Sequence, residues 1–262
     1  MNFVSQAIAS WSIPDRIADQ PVDKEWKGTP AHLGPHRYTP LRQSLEFKTS
    51  SALLALLAGT MVWGYCRLRN QTDAQVLAHL AEGLFCYQID PLYLNPIESY
   101  RYFPRTDGQP LPSSAVKVYP WIFFQQFFSF PRFWPIYPQI IETAQAIYLT
   151  EHIMPKREKS FHVWADTAVR NLDLIAAFPD TRQEPIPSGS ALDVFEAEST
   201  RVIGRPLGPS ALFANLPFDA DKNALEVGLL LQEAERGRNP FLRDSASMLA
   251  QGFVGDPYEY VQ

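Results

Sequence analysis

A chain of 262 residues with 46% hydrophobic and 19% charged residues has apolar mass for one large domain or two small ones, which excludes wholesale disorder. Its net charge of −5 is unevenly placed: residues 1–42 carry five basic and four acidic groups, residues 43–179 eleven of each, and residues 180–262 seven against thirteen. No basic face stands out, which argues against a general nucleic-acid role, and the excess acidity of the last third favours a basic partner surface.

Prolines at 14, 21, 30, 35 and 40, set among polar residues, predict a proline-rich arm or irregular wrap over 1–39, with one short helix around 3–11. The start has neither a basic n-region nor a long apolar core, so no secretory signal is expected. Thr39-Pro40 then begins a domain, 40–262, with a sub-boundary placed near 180–188; a hydroxyl cap followed by proline in the first turn is a good helix start. The absence of proline until Pro91 predicts two helices. One runs over about 40–69, roughly 45 Å long if unbroken. The other opens on the capping-box pattern Thr72-Asp-Ala-Gln75 and places Val76, Leu80 and Leu84 on one stripe. The short link at Asn70-Gln71 predicts an antiparallel hairpin.

Within the first helix, 49–66 is a run of 18 uncharged residues bounded by Lys48 and Arg67. It reaches the lower limit of a membrane span. Ser50, Ser51, Gly59, Thr60 and Gly64 dilute it, and a buried central helix with closely packed neighbours explains it as well. Cys66 and Cys86 are flanked by apolar residues and read as buried thiols, with no disulfide framework and no zinc spacing.

Residues 88–120 are rich in Pro, Tyr and turn formers: a long connection, functional or packed down by its tyrosines. The block from 119 to 137 holds ten of the chain's 34 aromatic residues. Proline and Arg132 break it too often for a membrane crossing, so it reads as core with an exposed edge. Trp121, Phe124, Phe128, Phe133 and Trp134 are the candidate partner anchors, because large aromatics dominate interface energetics at low entropic cost. Helices follow at about 139–154 and 160–178, the second with Phe161, Trp164, Ala168, Leu172 and Ile175 at helical spacing and Ser160 as cap. The cluster at 156–159 between them reads as a solvated turn. Further helices are expected from Ser190 to about 203, from Asp219 or Asp221 to Gly237, and over about 244–251. No alternating β-branched run suggests a strand. The fold class is therefore all-α, an irregular helical bundle with long proline-rich connections.

Standard catalytic signatures are missing: there is no phosphate-binding glycine loop, no Gly-x-Ser-x-Gly and no His-Glu-x-x-His. His79 with Glu82, Glu142 with Glu151 and His152, and His162 with Asp166 are loose groupings, and the Glu-x-x-His order of a two-metal bundle does not occur twice. No catalytic residue, metal ligand or cofactor is assigned. His32 and His36 in the arm carry no assignment.

The order of the element Val22, Asp23, Lys24 and Trp26, a helical hairpin, and then Pro155, Phe161, Trp164, Arg170 and Leu172 resembles the cytosolic helical domain of DotM/IcmP-type subunits of type IV secretion coupling complexes. The family's Trp-Leu-Lys-Pro and Gln-Leu-Gly stretches are absent, as is its membrane-anchoring N-terminus. The resemblance implies a scaffold that binds partner proteins and helps recruit cargo at a secretion or conjugation apparatus. The expected function is a non-catalytic protein-interaction subunit or accessory of a larger assembly, cytoplasmic and with membrane association open. Two alternatives stand beside it: a membrane-associated subunit spanning at 49–66, and a helical metal-dependent enzyme.

Overall fold

Thr49 begins the element around which the others are arranged. A computed structural model describes residues 2–22, 39–71, 74–95, 136–176, 203–212, 217–236 and 239–260. Among them are eight helices: α1 (Phe3–Trp11), α2 (Thr39–Leu45), α3 (Ser50–Leu68), α4 (Gln75–Tyr87), α5 (Ile136–Ile153), α6 (Ser160–Ile175), α7 (Ala220–Arg236) and α8 (Ser245–Ala250). No strand occurs among the described residues, where Leu94 and Leu242 form an isolated bridge; the fold is all-α.

The single helix expected over 40–69 is two helices. Thr49 is the reason: its hydroxyl accepts the Ala52 N–H, and its own N–H goes to the carbonyl of Ala176. Just before it, the fully buried Lys48 donates from Nζ to the Ser44 carbonyl (2.8 Å) and pairs with Asp173. The break is thus fixed by contacts to the far end of α6, which a local reading does not contain.

Every residue of α3 except Ser50 and Tyr65 is buried. It packs most extensively on α4 and α5, and also on α1 and α6. Among the described residues α3 is the one helix long and apolar enough to cross a bilayer, with mean hydropathy 1.3, and 94% of its apolar window is buried inside the fold. Its apolarity is therefore accounted for by neighbours from the same chain. Gly59 lets one of these neighbours in: a Cβ there would stand 2.6 Å from Cζ2 of Trp164 and 3.0 Å from Cη2 of Trp11. Trp11, Trp63, Phe161 and Trp164 close over this point with ring centroids 5.0–6.0 Å apart. The indole N–H groups of Trp63 and Trp164 are buried and make no hydrogen bond, so both rings are held by packing alone.

The segment read as an arm belongs, over residues 2–22, to this core. Phe3, Val4, Ala7, Trp11, Ile13, Ile17 and Ala18 are buried. After α1 the chain wraps around Arg67, which is 1% exposed. Its guanidinium donates to the carbonyls of Ile17 (2.8 Å), Gln20 (2.6 Å), Pro21 (2.9 Å) and Ile153 (2.6 Å). A planar fork suits this task because it serves several carbonyls of an irregular segment at once.

Elsewhere the helix starts differ in detail. α4 begins at Gln75, after Ala74, which offers no side-chain cap; the expected start at Thr72 lies outside the described residues. The expected stripe of Val76, Leu80 and Leu84 is buried. Ser160 does not cap α6; Glu158 does, its carboxylate accepting the Ser160 N–H at 3.0 Å. Asp219 caps α7 by accepting the N–H groups of Asp221 and Lys222, and Asp244 caps α8 through the Ser247 N–H. Tyr93 is fully buried, and its hydroxyl accepts the Tyr258 N–H at 3.0 Å. That tyrosine packs down the described start of the 88–120 connection. The helix expected from Ser190 lies outside the described residues up to Ile203.

Residues 203–212 have little repetitive structure and are fixed by side chains. Leu207 N–H donates to Gln88 Oε1, Gly208 N–H to Asn223 Oδ1, and Ser210 to Glu226, while the Pro209 carbonyl accepts from Trp11 Nε1 at 2.9 Å. Gly204 has φ +71° and leaves no room for a Cβ against Thr49, so both its conformation and its surroundings require glycine.

Candidate functional site

The five predicted anchors, Trp121, Phe124, Phe128, Phe133 and Trp134, lie outside the described residues. So do His32 and His36. Two concavities on the described surface gather residues that can be read chemically.

The first lies where α5 turns into α6. Glu151 near the end of α5 and His162 in the first turn of α6 meet at 2.9 Å, Oε1 to Nδ1, and Asp166 acts on the same carboxyl. Glu151 from one loose grouping in the sequence therefore joins His162 and Asp166 from another. Burial raises the Glu151 carboxyl above its usual range, the His162 charge opposes this, and Asp166 adds to it. His152 is not part of the pair; its Nδ1 donates to the Tyr148 carbonyl at 2.9 Å. On the turn, Glu158 accepts from Arg16 (2.9 Å) and from the Ser160 N–H. Burial works to raise this carboxyl, but hydrogen bonds from Ser160 and Arg16 outweigh it and hold it below the usual range. A cavity of about 760 Å³ lies beside these groups, walled by Pro21, Val22, Arg67, Met154 and Phe161 and rimmed by Lys156, Arg157 and Lys159.

His79 and Glu82, the third grouping, serve the fold. Asn239 donates from one nitrogen to both the His79 carbonyl (2.8 Å) and Glu82 Oε2 (3.0 Å). Burial raises the Glu82 carboxyl, partly offset by the Asn239 hydrogen bond. Burial also pushes the Cys66 thiol to about 12 and the Cys86 thiol well above its usual value. Both cysteines are free and buried, and at neutral pH they are inert packing groups rather than nucleophiles. Among the described residues no three His, Cys, Asp or Glu side chains are grouped to hold a metal ion.

The second concavity, about 700 Å³, lies between the end of α6 and the start of α7. Ile175, Ala211, Pro217 and Phe218 give it an apolar lining, with Asn171, Asp219 and Lys222 at its edge. Leu174 also lines it and is 84% exposed. The cause is helical phase: the buried face of α6 carries Phe161, Trp164, Ala165, Ala168, Val169 and Leu172, and Leu174 follows Leu172 by about 200° of rotation. Phe47, 65% exposed, sits beside Lys48 and so next to the ion pair that ties Lys48 to Asp173. Two large apolar side chains are thus presented from elements that are joined directly. The sequence carries a signal for Leu174, an apolar residue out of phase with its helix, but none for Phe47, which falls within the single helix expected over about 40–69.

Comparison with protein-family models, with curated proteins and with solved structures finds no match for this chain. Of the residues that carry the resemblance to DotM/IcmP-type subunits, Asp23, Lys24 and Trp26 lie outside the described residues, while others have visible roles in the fold. Phe161, Trp164 and Leu172 are core, and Arg170 donates to the Asp166 carbonyl and to Thr167 on its own helix. The Val22 N–H is held by Gln71.

Proposed function

We propose that this chain is a non-catalytic protein-binding subunit or accessory of a larger assembly. The partner it takes at the α6–α7 groove is a protein segment with an apolar anchor flanked by basic residues. The observation that supports this reading is Leu174, 84% exposed on the lip of an apolar concavity of about 700 Å³. Exposed leucines scattered singly are ordinary; one that borders a concave apolar surface is where an interface core forms. The basic flanks follow from charge. Residues 180–262 carry thirteen acidic against seven basic groups; at the groove Asp219 pairs with Lys222 at 3.5 Å and Asp173, next to Leu174, pairs with Lys48, so it is the net acidity of this third of the chain, not a free carboxylate at the groove, that favours them. The setting implied by the DotM/IcmP resemblance is a secretion or conjugation apparatus.

Covering one leucine contributes about 1.5–3 kcal/mol, so Leu174→Asp weakens the partner's Kd by roughly tenfold or more. A photoreactive side chain at position 174 in cells, with position 163 as the control, identifies the partner. Val163 is 63% exposed on the same helix but away from the groove lining. The expected result is an adduct at 174 and not at 163, and a purified partner whose affinity falls tenfold for Leu174→Asp. Equal adducts at both positions, or an affinity unchanged by the substitution, would sink this reading.

A further inference from the structure

We infer that the cavity at the α5–α6 turn is a binding site for a small phosphorylated organic molecule, a role independent of partner docking at the α6–α7 groove. Charge carries the first part of the argument. The chain as a whole is acidic, at −5, yet this cavity is rimmed by Lys156, Arg157 and Lys159 within four consecutive residues. Nearby charges already have partners: Arg16 pairs with Glu158, and His162 faces Glu151. The side chains of Lys156, Arg157 and Lys159 form no ion pair with the described residues. Glu151 and Glu158 line the same cavity but each already faces a partner, so the turn carries a local excess of positive charge.

Shape and lining give the ligand class. A volume of about 760 Å³ is in the range of small-molecule sites. Pro21, Val22, Met154, Pro155 and Phe161 supply an apolar wall for an organic body. The three cations supply the complement of a dianionic head: lysines as point charges, and a guanidinium that can chelate two phosphoryl oxygens. The turn that carries them is anchored, since Glu158 N–H donates to the Pro155 carbonyl and Glu158 caps α6. The cations are thus presented on a fixed frame. Binding is non-covalent, with no bond made or broken.

The test is titration of the intact chain with phenyl phosphate at constant ionic strength, followed by calorimetry and by thermal melting. Wild-type protein is expected to bind one equivalent saturably, and hundredfold excess over Kd to raise Tm by about 5 °C. The Lys156→Gln/Arg157→Gln/Lys159→Gln variant alters only exposed side chains. It is expected to keep the wild-type helical signal and Tm without ligand, and to bind at least tenfold more weakly. Lys222→Gln, on α7, is expected to bind as wild type. Three results overturn the inference: no saturable binding at millimolar phenyl phosphate; equal binding by the triple variant; or binding of a single-stranded oligonucleotide at this turn that phenyl phosphate does not displace, which would make the site a nucleic-acid surface.

Discussion

Gly59→Ala tests whether α3 is as tightly enclosed as the aromatic packing indicates. Two effects act in opposite directions. In an exposed helix interior the change would stabilise by about 1 kcal/mol, through helix propensity and lower entropy of the unfolded chain. Here the added methyl would stand 2.6 and 2.8 Å from Trp164 and 3.0 Å from Trp11, well inside van der Waals contact. Trp164 is stacked against Phe161 and tilted against Trp63, so the ring has no free side to retreat to. Overpacking of a close-packed core costs typically 1–3 kcal/mol, and a clash this short belongs at or above the upper end. The net expectation is a loss of about 2 kcal/mol or more, or a Tm lower by roughly 4–8 °C for a domain of this size. Thermal melting followed by far-UV circular dichroism gives the sign. Near-UV circular dichroism reports whether the three-tryptophan cluster has shifted. A double-mutant cycle with Trp164→Phe isolates the cause, because a smaller ring makes room for the methyl. The coupling should favour the double variant by about 1 kcal/mol or more. A rise in Tm for Gly59→Ala alone, or a coupling near zero, would refute the account of α3 as an element enclosed on all sides.

Arg67→Met should cost about 3–5 kcal/mol, because it strips the donor from four inward carbonyls while keeping the volume of the stem; hydrogen exchange should quicken first in residues 14–22, and a loss below about 1 kcal/mol would show that the guanidinium does not pin this segment. Glu82→Gln should stabilise the protein at pH 8. The folded carboxyl titrates above its unfolded value through burial, so the ionised form opposes folding. Its contribution to stability is fully present below the unfolded carboxylate range and is lost as pH rises through the raised folded value. The amide keeps an acceptor for Asn239 and removes the charge, so the Tm advantage should shrink as pH falls toward the carboxylate range. An equal advantage at every pH would mean the gain has another origin.

Much of this fold was legible because its signals are local. α1 occupies the interval expected for the one short helix of the N-terminal segment, α6 buries the face its periodicity named, and Asp219 and Asp244 cap as acidic residues ahead of helices do. The misread positions have a common cause. The break at Thr49, the pinning of residues 14–22 by Arg67, and the capping of α6 by Glu158 rather than Ser160 each depend on which distant or competing group reaches the backbone first. An arginine closing an apolar helix reads as a solvated end, and nothing around it announces four carbonyl partners. The α5–α6 cluster was half visible: Glu151 and His162 were both noticed, in separate groupings, since their meeting depends on the angle of the intervening turn. Leu174 was readable from phase alone, whereas Phe47 required knowing that the long helix is interrupted.

Side chains, rather than a ladder, hold residues 203–212 in place, and this sets the order in which the molecule can be completed. Trp11 finds its acceptor at Pro209, 198 residues later in the chain, and Gln6 reaches Glu226 on α7. At a translation rate of about 5–20 residues per second, 198 residues correspond to roughly 10–40 s. Throughout that interval the first helix has emerged while the segment that seals it does not yet exist. Until then the Trp11 N–H lacks this acceptor, although its ring can pack on Trp164 once α6 is made. Closing of the core over α1 is therefore a late step, in which an early part of the chain meets one made long after it.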